Sequence, residues 1–198
     1  MSNGRLKVVV GCEYSGRVRD AFLIRGHDAI SVDILPTDSP GPHHQGDLIE
    51  FLDRGVAYDI GIFHPPCTYL AASGLHWNKR KPGRADMTED AIKFVLALYN
   101  HPWVRACAVE NPVGCLSTRW RKPDQIIQPW QFGEDASKKT CLWLRNLPLL
   151  TPTNIITKAR YANQTASGQN NLGPSEDRWK LRSTTYPGIA NAMADQWG

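Results

Sequence analysis

The chain's first decisive stretch is Lys7-Val8-Val9-Val10-Gly11-Cys12-Glu13-Tyr14-Ser15-Gly16, followed by Arg17 through Arg25, Gly26, and Ala29-Ile30-Ser31-Val32-Asp33. Three consecutive valines form a β-branched apolar run, the pattern of a strand buried on both faces. Residues 17–25 carry Val18, Ala21, Phe22 and Ile24 at positions that suit a short helix, and Gly26 stands where helices end. Residues 29–33 read as a second strand. Strand, glycine-containing turn, helix, strand is the opening unit of an α/β, doubly wound, mostly parallel sheet with helices on both faces.

Outward from this unit, residues 36–46 read as a Pro/Gly/His loop and 48–54 as a short helix. Residues 58–63 form another strand, closed by Pro65. Residues 87–99 have Ala91, Ile92, Val95, Leu96 and Leu98 at helical spacing, with Thr88-Glu89-Asp90 as an acidic first turn. A strand over 104–109 is followed by Glu110-Asn111-Pro112, and a late strand covers 141–144. Residues 148–185 are polar without a period and read as one long variable segment. A terminal helix covers 189–197. No repeat interrupts the series, so residues 1–198 are expected to form a single domain.

A chain of 198 residues, 41% hydrophobic and 21% charged, suits one soluble globular domain. No apolar run approaches bilayer-spanning length, and no signal-type apolar segment precedes residue 7. The expected location is the cytoplasm, with no membrane partner. Five cysteines without C-x-x-C spacing argue against a disulfide framework or a zinc knuckle, and no metal is expected. A net charge of +4 permits a polyanionic partner without demonstrating one.

Four places carry chemistry. The turn Gly11 to Gly16 lets a ligand approach backbone amides at a helix N-terminus. Asp33, closing the next strand, either hydrogen-bonds a ribose diol or caps the loop after it. Asp47, in Gly46-Asp47-Leu48, either meets an adenine amino group or caps a helix. Cys67 follows Pro65-Pro66, a stiff turn that aims a thiol better than it buries one; thiolates attack electron-poor carbons. Glu110 ends the next strand on the same sheet edge, where its carboxyl can protonate a ring nitrogen; otherwise it is an acidic strand terminus. The remaining cysteines read as structural.

In this order the segments resemble the DNA cytosine-5 methyltransferases. Residues 10–16 match that family's glycine loop, Asp33 its ribose-binding acid and Asp47 its adenine-contacting acid. Pro65-Pro66-Cys67 matches its Pro-Pro-Cys motif, Glu110-Asn111-Pro112 its Glu-Asn motif, and 188–192 its final asparagine-containing helix. The resemblance implies a class I methyltransferase (Rossmann-like) fold using S-adenosyl-L-methionine, held by Gly11, Glu13, Tyr14, Ser15, Gly16, Asp33, Asp47, Pro65 and Asn191. It implies Cys67 as nucleophile toward C6 of a pyrimidine and Glu110 as the group on N3. Pro66 and Asn111 would contact the substrate. Where the family has an arginine-bearing strand, this chain has Ser137-Lys138-Lys139-Thr140-Cys141, so Lys139 or Thr140 is expected to substitute in holding the base carbonyl, a lysine doing so as a point charge.

The resemblance makes cytosine in DNA the expected substrate, flipped from its stack. Residues 148–185 stand where the family carries a target-recognition domain. The chain therefore reads little sequence, or uses a protein partner or oligomer for recognition, or acts on a free pyrimidine nucleotide or RNA. A catalytically inactive nucleic-acid or nucleotide-binding homologue is the reading from another class. The basic run Asn78-Lys79-Arg80-Lys81-Pro82-Gly83-Arg84 is either a phosphate-contacting loop or a solvated one. Of seven tryptophans, Trp77 and Trp179 are the candidates for stacking on a base, and packing is the use expected of most others.

Overall fold

A computed structural model describes residues 4–168 and 170–198. The chain runs β1 (Lys7–Gly11), α1 (Arg17–Ile24), β2 (Asp28–Asp33), β3 (His43–Gln45), α2 (Leu48–Leu52), β4 (Tyr58–Phe63), α3 (Ala72–Leu75) and α4 (Arg84–Tyr99). It continues through β5 (Val104–Pro112), α5 (Leu116–Arg119), β6 (Gln125–Ile127), β7 (Thr140–Arg145), α6 (Arg178–Ser183) and α7 (Pro187–Trp197).

The strands form one sheet in the order β3-β2-β1-β4-β5-β7-β6. Neighbours from β3 to β5 pair parallel, and β7 runs antiparallel to both β5 and β6. This is the doubly wound, Rossmann-like architecture the sequence predicts. Strand alternation sorts the core into two layers. Val8 and Val10 pack with Val18 and Phe22 of α1 and Met193 of α7. Val9, between them, faces the other way with Val95 and Leu98 of α4 and with Trp143. Full burial of an aliphatic or aromatic side chain stabilises by roughly 1.5–3 kcal/mol, so both layers contribute substantially.

Strand order reverses between β1 and β4, where Gly11 is in register with Phe63. The chain leaves β1 for α1 on one face and leaves β4 toward α4 on the other. The parting connections open a crevice at the carboxyl edge, where sheets of this kind bind ligands. The turns 12–16 and 64–67 border it.

Several boundaries differ from expectation, each for a tertiary reason. β3 lies inside the expected loop 36–46; it is held by parallel pairing to β2 and by a 2.9 Å bond between His43 Nδ1 and Ser31 Oγ. β6 forms only by pairing with β7. β5 extends through Glu110, Asn111 and Pro112, because β7 continues opposite as far as Thr140. Glu110 therefore sits within a strand rather than after one. α4 begins at Arg84, three residues early. Its guanidinium donates to the Thr68 carbonyl at 2.9 Å and lies 4.8 Å from the Tyr69 ring centroid. The polar stretch 148–185 contains α6. Among the described residues no helix is long and apolar enough to cross a membrane.

Candidate functional site

The turn after β1 is built around Glu13. Its carboxylate accepts from the backbone N–H of Val18 at 2.6 Å and of Arg19 at 3.3 Å, at the start of α1, and from Ser15 Oγ at 3.3 Å. Gly16 precedes the helix with φ 70°, a left-handed conformation that favours glycine. Glu13 is buried, and burial pushes its carboxyl up despite the nearby His64 charge and the Val18 and Arg19 N–H groups. The helix terminus that a ligand was expected to approach is thus occupied by the chain's own carboxyl group.

Two further carboxylates act electrostatically on this turn. Asp33 ends β2 and accepts from the Leu35 N–H at 2.9 Å. Half-burial raises it, against the lowering effect of that bond. Asp47 caps α2, accepting from the Glu50 N–H at 2.9 Å. The partly buried Cys12 thiol is pushed up by burial first, then by the charges of Asp33 and Asp47. Both acids therefore act on the turn that follows β1.

Tyr14 is buried beneath α6. Its hydroxyl lies 3.1 Å from the Lys180 carbonyl, 3.1 Å from Ser183 Oγ and 3.4 Å from Thr184 Oγ1. The Trp179 ring lies 5.6 Å away, centroid to centroid. α6 buries none of its own side chains, so polar contacts hold it in place.

Across the crevice, His64 donates its backbone N–H to the Gly11 carbonyl at 2.9 Å. Pro65 is buried, while Pro66 and Cys67 are exposed. The Cys67 carbonyl accepts from the N–H groups of Leu70 and Ala71 at 3.0 and 2.9 Å, closing a tight turn. That turn lies on the segment after β5. A Cβ at Gly114 would sit 2.0 Å from the Leu70 carbonyl oxygen, so only glycine permits the approach. All five cysteines are free.

β5 supplies the acid. Glu110 Oε2 lies 2.8 Å from His64 Nδ1, with the two side chains 11% and 10% exposed. Burial would raise Glu110, but the hydrogen bond and charge of His64, with Lys138, leave it below the usual carboxylate range. Burial would lower His64, but its bond to Glu110 and the charges of Glu110 and Glu13 leave it raised. Both directions favour the imidazolium–carboxylate form of the pair. Next to it, Asn111 Nδ2 donates to the Pro65 carbonyl at 2.8 Å, in full burial.

The segment before β7 is placed differently from expectation. Lys139 is exposed, and Thr140 is buried with its hydroxyl donating to the Lys138 carbonyl at 3.2 Å. Lys138 is the cation that acts on both His64 and Glu110. Its Nζ donates to the Arg182 carbonyl at 2.9 Å and its N–H to Gln128 Oε1 at 2.9 Å.

The structure thus brings Gly11, Glu13, Tyr14, Ser15, Gly16, Asp33, Asp47, Pro65, Pro66, Cys67, Glu110, Asn111 and Thr140 to the connections along the carboxyl edge of the sheet. Asn191 stands apart from these connections, in a groove along α1 whose other end Ser15 borders. Asn191 is exposed on α7, where it accepts from Arg25 at 3.4 Å at the far end of α1. Sequence reasoning missed His64 and Lys138. The signal for His64 was its place directly before Pro65-Pro66-Cys67. Among the described residues no group of three or more His, Cys, Asp or Glu side chains is placed to hold a metal ion.

Among solved structures, the chain is similar to a protein described as a candidate DNA modification methyltransferase encoded within a prophage (E. coli). The TM-score is 0.49 and the identity 13%, over 76% of this chain and 52% of that one. This chain spans about half of that protein's length. No family model matches the chain. No curated protein matches it either.

Proposed function

We propose that this chain is an S-adenosylmethionine-dependent methyltransferase that acts on C5 of a pyrimidine, cytosine in DNA, through a covalent adduct at Cys67. One observation carries the reading. The buried bond from Asn111 to Pro65 fixes the exposed Cys67 turn against the strand that bears Glu110, so a thiol and an ion-paired acid stand at one edge of the crevice.

The residues around the turn after β1 fit the cofactor. Asp33 and Asp47 offer two carboxylates to a ribose diol and an adenine amino group, and their charge suits a sulfonium. Glu13 fills the start of α1, where the pyrophosphate of a dinucleotide would need the same N–H groups. The turn therefore favours a nucleoside without phosphate there. When bound, S-adenosylmethionine supplies the methyl group that C5 receives.

The chain's own residues do the rest. Cys67 adds as thiolate to C6, and Glu110 holds N3 and the exocyclic amine. Of the other residues assigned to the substrate, Pro66 is exposed beside Cys67, while Asn111 and Thr140 are buried and support the site from behind. Lys138 adds positive charge beside the acid and does so as a point charge, without the fork of an arginine. The loop after Cys67 suits a polyanion. Trp77 is 40% exposed, with Arg80 and Lys81 lying 5.8 and 5.0 Å from its ring centroid. An exposed ring beside two cations offers stacking and phosphate contact together.

The test is transfer of labelled methyl from S-adenosylmethionine to cytosine-containing DNA, with Cys67→Ser alongside. Label at C5 with the native chain and none with the variant is expected. Label on an exocyclic amine, or transfer that survives Cys67→Ser, would overturn the reading. Competition by dCMP separates a free nucleotide substrate from a polymer.

A further inference from the structure

His64 stands directly before the Pro-Pro-Cys turn, yet its side chain belongs to the acid on the next strand. Its Nδ1 contacts Glu110 at 2.8 Å, and its Nε2 is buried without a hydrogen-bond partner among the described residues. Its backbone N–H is fixed to the Gly11 carbonyl. The ring is thus held from the cofactor side of the crevice and has one acceptor, Glu110, for its proton. We propose that His64 is the positioning residue of the acid: it stores the proton that Glu110 delivers to N3 of the pyrimidine and receives that proton back. The inference rests on the methyltransferase reading above.

The step balances as follows. The Cys67 thiolate forms the S–C6 bond, the C5=C6 π bond breaks, and the electron pair moves through the ring to N3. N3 takes a proton from Glu110 as Glu110 takes one from His64 Nδ1, leaving Glu110 ionised and His64 neutral. After C5 is methylated, N3 returns its proton to the pair. A base takes the C5 proton, the C5=C6 bond reforms and the thiolate leaves. No proton is gained or lost by the pair over the cycle.

The surroundings suit this role. Glu110 faces the imidazole from β5, Glu13 from the turn after β1, Asp33 from the end of β2 and Lys138 from the approach to β7. Three acids against one lysine favour a stored positive proton. A lone Glu110 would be raised by burial, yet it would have only the carboxyl itself to hold the proton, a weaker base than imidazole. The pair keeps one at neutral pH and can still pass it on.

His64→Asn tests the idea, because an asparagine amide keeps a donor near the Nδ1 position but carries no titratable proton. A thermal melt establishes that the variant folds. The expected result is a kcat lowered about 10²-fold near neutral pH, the scale of general acid catalysis, with KM little changed. Its pH profile should move toward acid, where Glu110 can protonate itself. In the free native chain, NMR titration of the His64 ring should show it protonated above the ordinary imidazole range, and Glu110→Gln should abolish that shift. An unchanged pH profile in an active His64→Asn overturns this inference and leaves the methyltransferase reading standing. A His64 ring that titrates at or below the ordinary range overturns it whether or not the variant folds. Absence of C5 transfer by the native chain overturns the reading and this inference together.

Discussion

Asn111 donates its side-chain N–H to the carbonyl of Pro65 across 2.8 Å of buried space. A Glu-Asn strand end and a Pro-Pro-Cys turn, 44 residues apart in Asn111 and Cys67, are thereby locked together. Asn111→Ala removes the donor and leaves the Pro65 carbonyl unsatisfied, which costs about 1–3 kcal/mol. The expected outcome is a lowered unfolding midpoint and a larger loss of methyl transfer, because the Cys67 turn loses its tether. Chemical denaturation and the labelled-methyl assay, run in parallel, check it. Activity unchanged in a destabilised variant would show that the tether does not position the thiol.

Asp33 is held in place against its own solvation. Burial raises its carboxyl, so in the folded chain the ionised form is disfavoured relative to the unfolded chain. Asp33→Asn keeps an acceptor for the Leu35 N–H and removes the charge. At neutral pH the variant should melt at the same temperature or higher, while binding S-adenosylmethionine more weakly. The stability difference should vanish at pH values low enough to protonate Asp33. Calorimetric titration with S-adenosylmethionine that shows undiminished affinity would remove Asp33 from the ribose contact.

The Tyr14 hydroxyl anchors α6, which has no buried side chain of its own. Tyr14→Phe keeps the ring and deletes those bonds, each worth about 0.5–1.5 kcal/mol net. Amide exchange over 178–184 should quicken while the exchange of β1 and β4 stays as in the native chain. Equal protection of α6 in both chains would show that Trp179 and the Lys180–Asp38 contact hold it without the hydroxyl.

The His64–Glu110 pair predicts a pH window for stability. The raised imidazole contributes fully below its ordinary value of about 6.5, and this is lost as pH rises through its folded value. The lowered carboxyl contributes above its ordinary value of about 4.5, and this is lost as pH falls through its folded value. The pair's contribution is therefore greatest between those two values and declines on both sides. The difference in melting temperature between the native chain and Glu110→Gln, followed across pH, should peak in that window. A flat difference would show that the pair carries no charge.

Much of this arrangement was legible in the sequence, in the places where local pattern and tertiary role coincide. Val8-Val9-Val10 reads as a buried strand because both its faces are covered, and Pro65-Pro66-Cys67 reads as an aimed thiol because two prolines fix its backbone. β3 and β6 were not legible. Each is three residues long and owes its existence to a neighbour, β2 for one and β7 for the other. Glu13 and Asn111 read as ligand contacts, but their hydrogen bonds go to the N-terminus of α1 and to Pro65. Spacing cannot reveal a partner dozens of residues away. Lys138 was not legible, because it is placed by Gln128 and the Arg182 carbonyl, both remote from it in sequence.

The central claim is that the Cys67 thiol bonds to C6 of a pyrimidine. A cytosine bearing fluorine at C5 has no C5 proton to lose, so an adduct that has received its methyl group cannot release the thiol. Intact-mass measurement after incubation with S-adenosylmethionine and a DNA oligonucleotide containing 5-fluorocytosine reads this directly. The account predicts a covalent protein–DNA species that maps to Cys67 and is absent from Cys67→Ser. A native chain that methylates ordinary cytosine DNA yet forms no such species would contradict it.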